Sequence, residues 1–142
     1  MKQVVIYTDG ACSRNPGPGG WAAILIQDSF EKELLGGEQN TTNNRMEMIS
    51  AIKALEELKE KHAIMLYTDS QYLINGITKW IGGWEKNNWL TSDKKAVKNK
   101  ELWIRLQELT RHHKISWNWV AGHSGNEYNE RVDKLAKSQC KR

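Results

Sequence analysis

The sequence VVIYTD at residues 4–9 returns almost unchanged as IMLYTD at residues 64–69, and this pair of segments decides the fold. Each begins with an uninterrupted apolar run, which is typical of a parallel strand buried on both faces of a sheet. Each run then ends at an aspartate. Because neighbouring parallel strands lie about 4.8 Å apart, we expect Asp9 and Asp69 at one sheet edge, where open α/β sheets bind their ligands.

Two carboxylates so close together would repel each other unless a cation lay between them. A hard divalent ion such as Mg²⁺, which prefers oxygen ligands and keeps several waters, suits this arrangement. The alternative is that Asp9 and Asp69 only begin the turns that follow their strands, as aspartate often does. The two segments alone leave both interpretations open.

The length and composition predict one globular domain over residues 1–142. The chain is 39% hydrophobic, enough for a substantial core. Its sequence has neither an apolar run that could span a membrane nor a signal-peptide core, so we expect a cytoplasmic protein with no membrane partner, acting as a monomer. Cys12 and Cys140 lack the spacing of a zinc site and are expected to be free thiols.

The net charge of +4 is concentrated in residues 79–100, called the basic segment below. Six lysines there, against Glu85 and Asp93, account for the whole excess. Three tryptophans are interleaved with these lysines: Trp80, Trp84 and Trp89. Ammonium groups beside indole faces are typical of a surface that binds nucleic acid. The alternative is a solvated charged face over a small aromatic cluster, with Trp80 packed against Trp84 one helical turn later.

The remaining pattern predicts an α/β protein with a mixed sheet and helices on both faces. The Pro/Gly-rich residues 11–20 form a loop that precedes a strand and lacks the lysine of a P-loop, which argues against nucleotide binding there. The predicted meander strands after the first cover residues 21–26 and 31–39. The other predicted elements are helices at 43–59, 70–79 and 81–87, a further helix after 98, a strand at 115–120 and a helix at 126–138.

Two further carboxylates and a histidine complete a candidate site. Glu47 shares a helix face with small and apolar residues and therefore needs a partner, unless it lies at the edge of that face and reaches solvent. Asp133 flanks the buried stripe of the last helix. Together with Asp9 and Asp69 these residues could hold two Mg²⁺ ions about 3.5 to 4 Å apart. His123, in a glycine-flanked loop, titrates near neutral pH, although a surface histidine without a role is the alternative.

Eight short motifs, in order between residues 8 and 133, resemble those of bacterial type I ribonuclease H. The resemblance implies the ribonuclease H fold, with a five-stranded mixed sheet. It also implies endonucleolytic hydrolysis of the RNA strand of RNA/DNA hybrids, which leaves 5′-phosphate and 3′-hydroxyl ends. The motifs are TDG at 8–10, NPGPGG at 15–20, TTNNRME at 41–47, TDSQY at 68–72, GIT at 76–78, DKK at 93–95, GH at 122–123 and NERVD at 129–133.

The same resemblance implies a role for each site residue. His123 would assist proton movement or product departure. The ligands of two Mg²⁺ ions, with Mn²⁺ as the alternative metal, would be Asp9, Glu47, Asp69 and Asp133. Contacts to the minor groove of the hybrid would come from Cys12, Asn15, Asn43, Asn44 and Gln71. A DNA phosphate would be held by Asn15, Thr42 and Asn99, and the DNA strand by Trp80, Trp84 and Trp89.

One stretch departs from these relatives. Residues 84–90 read WEKNNWL, where the relatives are usually richer in lysine and arginine, so we expect weaker hybrid binding with a shallower salt dependence. Three other functions are alternatives to ribonuclease H activity. A DNA nuclease on the same fold would cut an all-DNA duplex, and a non-catalytic hybrid-binding module would be favoured by a missing carboxylate, yet all four are present. A protein scaffold needs no acidic cluster.

Overall fold

The structure, a computed structural model, describes residues 1–122 and 125–140. A π-helical turn, Gly76–Trp80, separates two of the helices. The strands and α-helices, in chain order, are β1 (Lys2–Cys12), β2 (Gly17–Gln27), β3 (Phe30–Thr41), α1 (Asn43–Glu57), β4 (His62–Thr68), α2 (Gln71–Asn75), α3 (Ile81–Lys86), α4 (Lys100–His112), β5 (Lys114–Trp119) and α5 (Glu127–Ser138).

The strands form one mixed sheet in the order β3-β2-β1-β4-β5. The pairs β1–β2 and β2–β3 are antiparallel, whereas β1–β4 and β4–β5 are parallel. The predicted meander and five-stranded mixed sheet are therefore confirmed. β3 is longer than the predicted 31–39, because its ladder with β2 runs from Phe30 to Thr41. The predicted loop at 11–20 is too long and the predicted strand at 21–26 too short, because β1 continues to Cys12 and β2 begins at Gly17, and the two strands already pair within this stretch. Tyr7 pairs with Tyr67 in the β1–β4 register, so the two aspartates each lie two residues beyond the same pair.

Helices cover both faces of the sheet, as the sequence predicts. On one face, α1 and α4 enclose the larger apolar cluster. On the other face, α5 packs across β1 and β2, with Val132 and Ala136 one turn apart against Ala22 and Ile24. Within the described residues, no helix combines the length and the apolar character needed to cross a membrane. The buried members of the larger cluster include Ile6, Met48, Leu55, Leu66, Trp103 and Leu106.

Side-chain caps fix where the helices begin. Thr42 Oγ1 accepts a hydrogen bond from the Arg45 amide at 3.2 Å, and Ser70 Oγ accepts one from the Leu73 amide at 3.0 Å. These caps satisfy amides that a helix cannot pair internally, so α1 and α2 start where the sequence predicts. α1 ends at Glu57, two residues before the predicted end, because Leu58 already has extended backbone angles.

The predicted break between helices 70–79 and 81–87 is wrong. The chain stays helical from Gln71 to Lys86, through the π-helical turn, and the Ile81 amide donates to the Gly76 carbonyl across five residues. Gly76 lies against the indole of Trp103, and a Cβ at this position would overlap that ring. The helical run therefore packs directly on the core, and its last turns, residues 79–86, are the first part of the basic segment.

Gly76→Ala is expected to destabilise the protein by about 2 kcal/mol, because the added methyl overlaps a fully buried indole that cannot move away. Thermal unfolding should show a Tm lower by about 8 °C. Gly83→Ala is the matched control, since a Cβ there has no atom within 4 Å. It should be neutral or stabilise helix α3 by up to about 1 kcal/mol. Equal Tm values for the two variants would contradict the packing described here.

Candidate active site

Three carboxylates meet at the carboxyl end of the parallel strands. Asp9 lies in β1, Glu47 in α1 and Asp69 directly after β4, and one carboxylate oxygen of each lies within 4.8 Å of the others. Gly10 permits this meeting, because a Cβ there would overlap the α1 backbone at Met46 and Glu47. Without a side chain at residue 10, α1 can lie directly on β1 and bring Glu47 beside Asp9.

The first two of these carboxylates are buried and incompletely hydrogen-bonded. Asp9 is 3% exposed and Glu47 is 8% exposed. Within residues 1–122 and 125–140, Asp9 Oδ2 and Glu47 Oε1 have no hydrogen-bond partner. Leaving a buried carboxylate oxygen unpaired is costly. Because these oxygens are hard donors at a shared point, the cluster fits a divalent cation that would satisfy them.

The same burial changes the proton affinity of the site. Burial, followed by a smaller contribution from the nearby charge of Asp69, raises the pKa of Asp9 to about 8, although the neighbouring Glu47 carboxyl lowers it in part. Burial and then the charge of Asp9 raise the pKa of Glu47 well above its ordinary value. Asp9 and Glu47 therefore tend to keep protons when no cation is bound, and a cation must displace them.

Asp133 is not part of this close group of three but borders the same cavity, of about 450 Å³. A hydrogen bond and a charge from Asp133 both contribute to the raised pKa of Asp9. Lys137, one turn later on α5, donates to Asp133 Oδ2 at 3.1 Å. Lys137 also lines the cavity, and it was not among the residues predicted from the sequence. Its position four residues after an acidic candidate was the available signal.

Most of the predicted minor-groove residues surround this cavity. The lining includes Cys12, Asn43, Asn44 and Gln71. Asn15 is joined to this group from outside, since its Oδ1 accepts a hydrogen bond from the Asn43 amide at 2.9 Å. The polar side chains predicted to contact the hybrid therefore lie around the acidic cluster.

The other predicted phosphate contacts lie at the starts of two helices. Thr42 caps α1, and Asn99 directly precedes α4, where its Nδ2 donates to the Tyr72 hydroxyl at 3.2 Å. Arg45 joins the two helix starts through an ion pair with Glu101 at 3.0 Å. Thr42 and Asn99 are thus held on neighbouring elements, although they are far apart in sequence.

The three tryptophans of the basic segment differ in their burial. Trp80 is 38% exposed, and its ring lies 5.8 Å from that of Trp84, which confirms the predicted packing one turn apart. Trp84 also packs against Trp103 of the core, at 5.6 Å, and against Trp89, at 6.4 Å. All six lysines of the segment are exposed. A charged face over an aromatic cluster and a nucleic-acid surface are therefore compatible descriptions of the same segment.

Two asparagines of this segment, Asn87 and Asn88, shape its turn. Asn87 Nδ2 donates to the Leu90 carbonyl at 2.9 Å. Asn88 has a φ of 55°, in the left-handed region that asparagine tolerates better than lysine. Local backbone geometry is therefore a physical reason for asparagine at residues 87 and 88.

His123 lies outside the described residues, so its predicted role stays a prediction. Its neighbour Gly122 is described, and a Cβ at Gly122 would lie 3.1 Å from Asp69 Oδ2. The chain that follows β5 therefore approaches the carboxylate of Asp69 closely.

Comparisons with known proteins agree with this geometry. The family model for RNase H matches residues 1–141. The chain is 61% identical to a ribonuclease H of Mesorhizobium japonicum, over 96% of this chain and 77% of the relative. It is 55% identical to a ribonuclease H of Ehrlichia ruminantium, over 98% of this chain and 95% of the relative.

Solved structures have the same fold. LC9-RNase H1 superposes with a TM-score of 0.89 at 27% identity, covering 99% of this chain and 72% of that one. LC11-RNase H1, solved in complex with an RNA/DNA hybrid, gives a TM-score of 0.74 at 20% identity, covering 96% of each chain. At that identity the second likeness concerns the fold alone.

Proposed function

The chain belongs to the ribonuclease H family, and from this membership we propose that it hydrolyses the RNA strand of RNA/DNA hybrids. The products would be 5′-phosphate and 3′-hydroxyl ends. The observation that carries the proposal is the acidic cluster, where buried carboxylate oxygens without partners face an open cavity. A cluster of this kind has no structural use without a cation, because its burial is unfavourable.

We infer that the cation is Mg²⁺ and that two ions bind with the substrate. The proposed ligands are Asp9, Glu47, Asp69 and Asp133. Oxygen donors without nitrogen or sulfur favour such a hard ion. When bound, paired ions of this type lower the pKa of an attacking water and stabilise the charge on the leaving oxygen.

The chain's own residues prepare and support this reaction. Hydrolysis joins the water oxygen to phosphorus, breaks the bond from phosphorus to the 3′ oxygen, and moves one proton from the water to that oxygen. We propose that His123 carries this proton or aids product release, since histidine titrates near neutral pH. Lys137 would hold Asp133 until the substrate and cations arrive, because its ammonium pairs with that carboxylate.

We propose that the enzyme selects RNA through its 2′-hydroxyls. Asn43, Asn44 and Gln71 have exposed amides around the cavity. An amide offers both a donor and an acceptor, which suits a hydroxyl and does not depend on base sequence. Cys12 would also contact the minor groove of the hybrid. A phosphate of the DNA strand would be held by Asn15, Thr42 and Asn99.

We propose that the basic segment binds the DNA strand, with Trp80 as its most accessible indole. Trp80→Ala should raise KM about fivefold, because one stacking contact of about 1 kcal/mol is lost, and should lower Tm by a few degrees, because Trp80 also packs on Tyr72 and Trp84. Trp84→Ala is the informative partner, since Trp84 also packs on Trp103. Trp84→Ala should raise KM and should also lower Tm more than Trp80→Ala does. Steady-state kinetics and thermal unfolding separate the two effects, and an unchanged KM for the Trp80 variant would contradict the assignment.

A cleavage assay with labelled substrates tests the function. RNA/DNA hybrid, duplex RNA and duplex DNA are each incubated with and without Mg²⁺. Cleavage of only the hybrid's RNA strand, and only with the metal, is expected. Cutting of duplex DNA would indicate a DNA nuclease, and hybrid binding without cleavage would indicate a non-catalytic module. The cytoplasmic location, the monomeric state and the weaker hybrid binding stay predictions.

A further inference from the structure

Trp119 is a large exposed residue beside the acidic cluster that none of the proposed roles explains. It is the last residue of β5, and it is 51% exposed. Its indole Nε1 donates a hydrogen bond to the backbone carbonyl of Asp69 at 3.2 Å. An exposed indole gains little from burial, so this directional contact is the distinctive feature of the side chain.

The indole–carbonyl hydrogen bond is made at Asp69, the first residue beyond the paired residues of β4. The ladder between β4 and β5 ends at the pair Thr68 and Trp119, and the Val120 amide donates to the Thr68 carbonyl at 2.9 Å. Asp69 lies beyond that pair and before Ser70, which caps α2. Through the indole hydrogen bond, β5 therefore holds the chain one residue beyond the last β4–β5 pair.

A second contact from the end of β5 reaches the side chain of the same residue. Gly122 follows β5, and a Cβ at this position would lie 3.1 Å from Asp69 Oδ2, a tight contact. Asp69 is thus approached twice from one segment: at its carbonyl by Trp119 and at its carboxylate by Gly122. The first contact holds the backbone from which the carboxylate projects, and the second brings the chain after β5 close to the carboxylate itself.

Trp117, two residues earlier in β5, shows that a tryptophan in this strand does not need such a bond. It is half-buried against the main core, and its Nε1 has no hydrogen-bond partner within residues 1–122 and 125–140. Trp117 therefore contributes through packing, whereas Trp119 contributes through its N–H. The two residues form a natural pair for comparison.

We propose that Trp119 is a positioning residue that orients Asp69 for cation binding through the indole–carbonyl hydrogen bond. The inference rests on the proposed metal-dependent function and deepens it. Groups that orient metal ligands from behind commonly affect metal affinity more than substrate affinity. A weaker hold on Asp69 should therefore change the response to Mg²⁺ and leave hybrid binding unchanged.

Trp119→Phe tests the proposal, because phenylalanine keeps an aromatic ring but has no N–H donor, and the Trp117→Phe control loses the same ring area. Calorimetry with Mg²⁺ alone, without substrate, should show Mg²⁺ affinity about fivefold lower than in the wild-type protein. The Mg²⁺ concentration for half-maximal cleavage should rise by a similar factor, with KM for the hybrid unchanged. Trp117→Phe is the matched control and should change neither Mg²⁺ quantity.

Thermal unfolding identifies any general loss of structure, which is expected to be small for an exposed residue. Unchanged Mg²⁺ affinity in Trp119→Phe would overturn the inference while leaving the proposed function intact. An equal Mg²⁺ effect in Trp117→Phe, or a change confined to KM, would also overturn it. A wild-type protein that neither binds Mg²⁺ nor cleaves the hybrid would refute both the function and the inference.

Discussion

Asp9→Asn is expected to lower kcat for hybrid cleavage about 1000-fold or more, equivalent to about 4 kcal/mol of lost transition-state stabilisation. Asn keeps the size of the side chain but replaces a charged ligand by a neutral one. Asp9 is central to the cluster, since it neighbours Glu47, Asp69 and Asp133. The measurement is single-turnover cleavage of a labelled hybrid in saturating Mg²⁺.

Asp28→Asn is the control for this substitution. Asp28 is exposed in the turn between β2 and β3, near Gln3 at the opposite end of β1. The Asp28→Asn variant should cleave the hybrid at the same rate as the wild-type protein. Hybrid affinity of the Asp9 variant, measured in Ca²⁺, should stay within a few-fold of wild type, because the polar groove residues are intact. Substantial cleavage by Asp9→Asn would refute the assignment of the cluster as the metal site.

Removing divalent metal should make the stability of the protein strongly dependent on pH. The pKa of Asp9 rises from an ordinary 3.8 to about 8 on folding, and that of Glu47 also rises. Below pH about 4, both groups carry protons in the folded and unfolded chain and impose no penalty. Between about pH 4 and pH 8 the unfolded chain loses the Asp9 proton while the folded protein keeps it, so the free energy of unfolding falls as the pH rises, and this fall ends once Asp9 also ionises in the folded protein.

We expect the loss from Asp9 alone to be on the order of 5 kcal/mol between about pH 4 and pH 9, or a fall of about 15 °C in Tm. Other carboxylates also titrate, so the informative quantity is the difference between the wild-type protein and Asp9→Asn, each with chelator. The variant should be the more stable at pH 9 and equal at pH 4. Mg²⁺ should stabilise the wild type most at high pH. A pH-independent difference would contradict the burial-induced pKa shift.

Much of the sheet and part of the site follow from the sequence because they depend on local patterns. The apolar runs before Asp9 and Asp69 specify buried parallel strands, and the alternative that each aspartate only begins a turn weakens once Glu47 joins them. Thr42 and Ser70 mark helix starts because capping needs only neighbouring amides. Asp133, at the edge of its helix stripe, gained its role chiefly from the family resemblance.

The features that escaped prediction depend on contacts between distant segments. Gly76 lies within the predicted helix 70–79, but the sequence does not show why a glycine stands there, and the indole of Trp103 explains it. Trp119 reads as one more strand residue, since its pairing with the Asp69 carbonyl depends on where the β4 ladder ends. Lys137 has the spacing for a pair with Asp133, but spacing does not show that both face a cavity.

The indole of Trp103 also constrains how this protein can evolve. It packs beneath Gly76, Tyr72 and Trp84. The surface that would hold the DNA strand therefore also covers this part of the core. A lineage that lost or redesigned the basic segment would expose one of the largest buried side chains in the molecule. Changes of substrate preference in that segment are therefore expected through its surface lysines, while Trp103 and its covering residues change together or not at all.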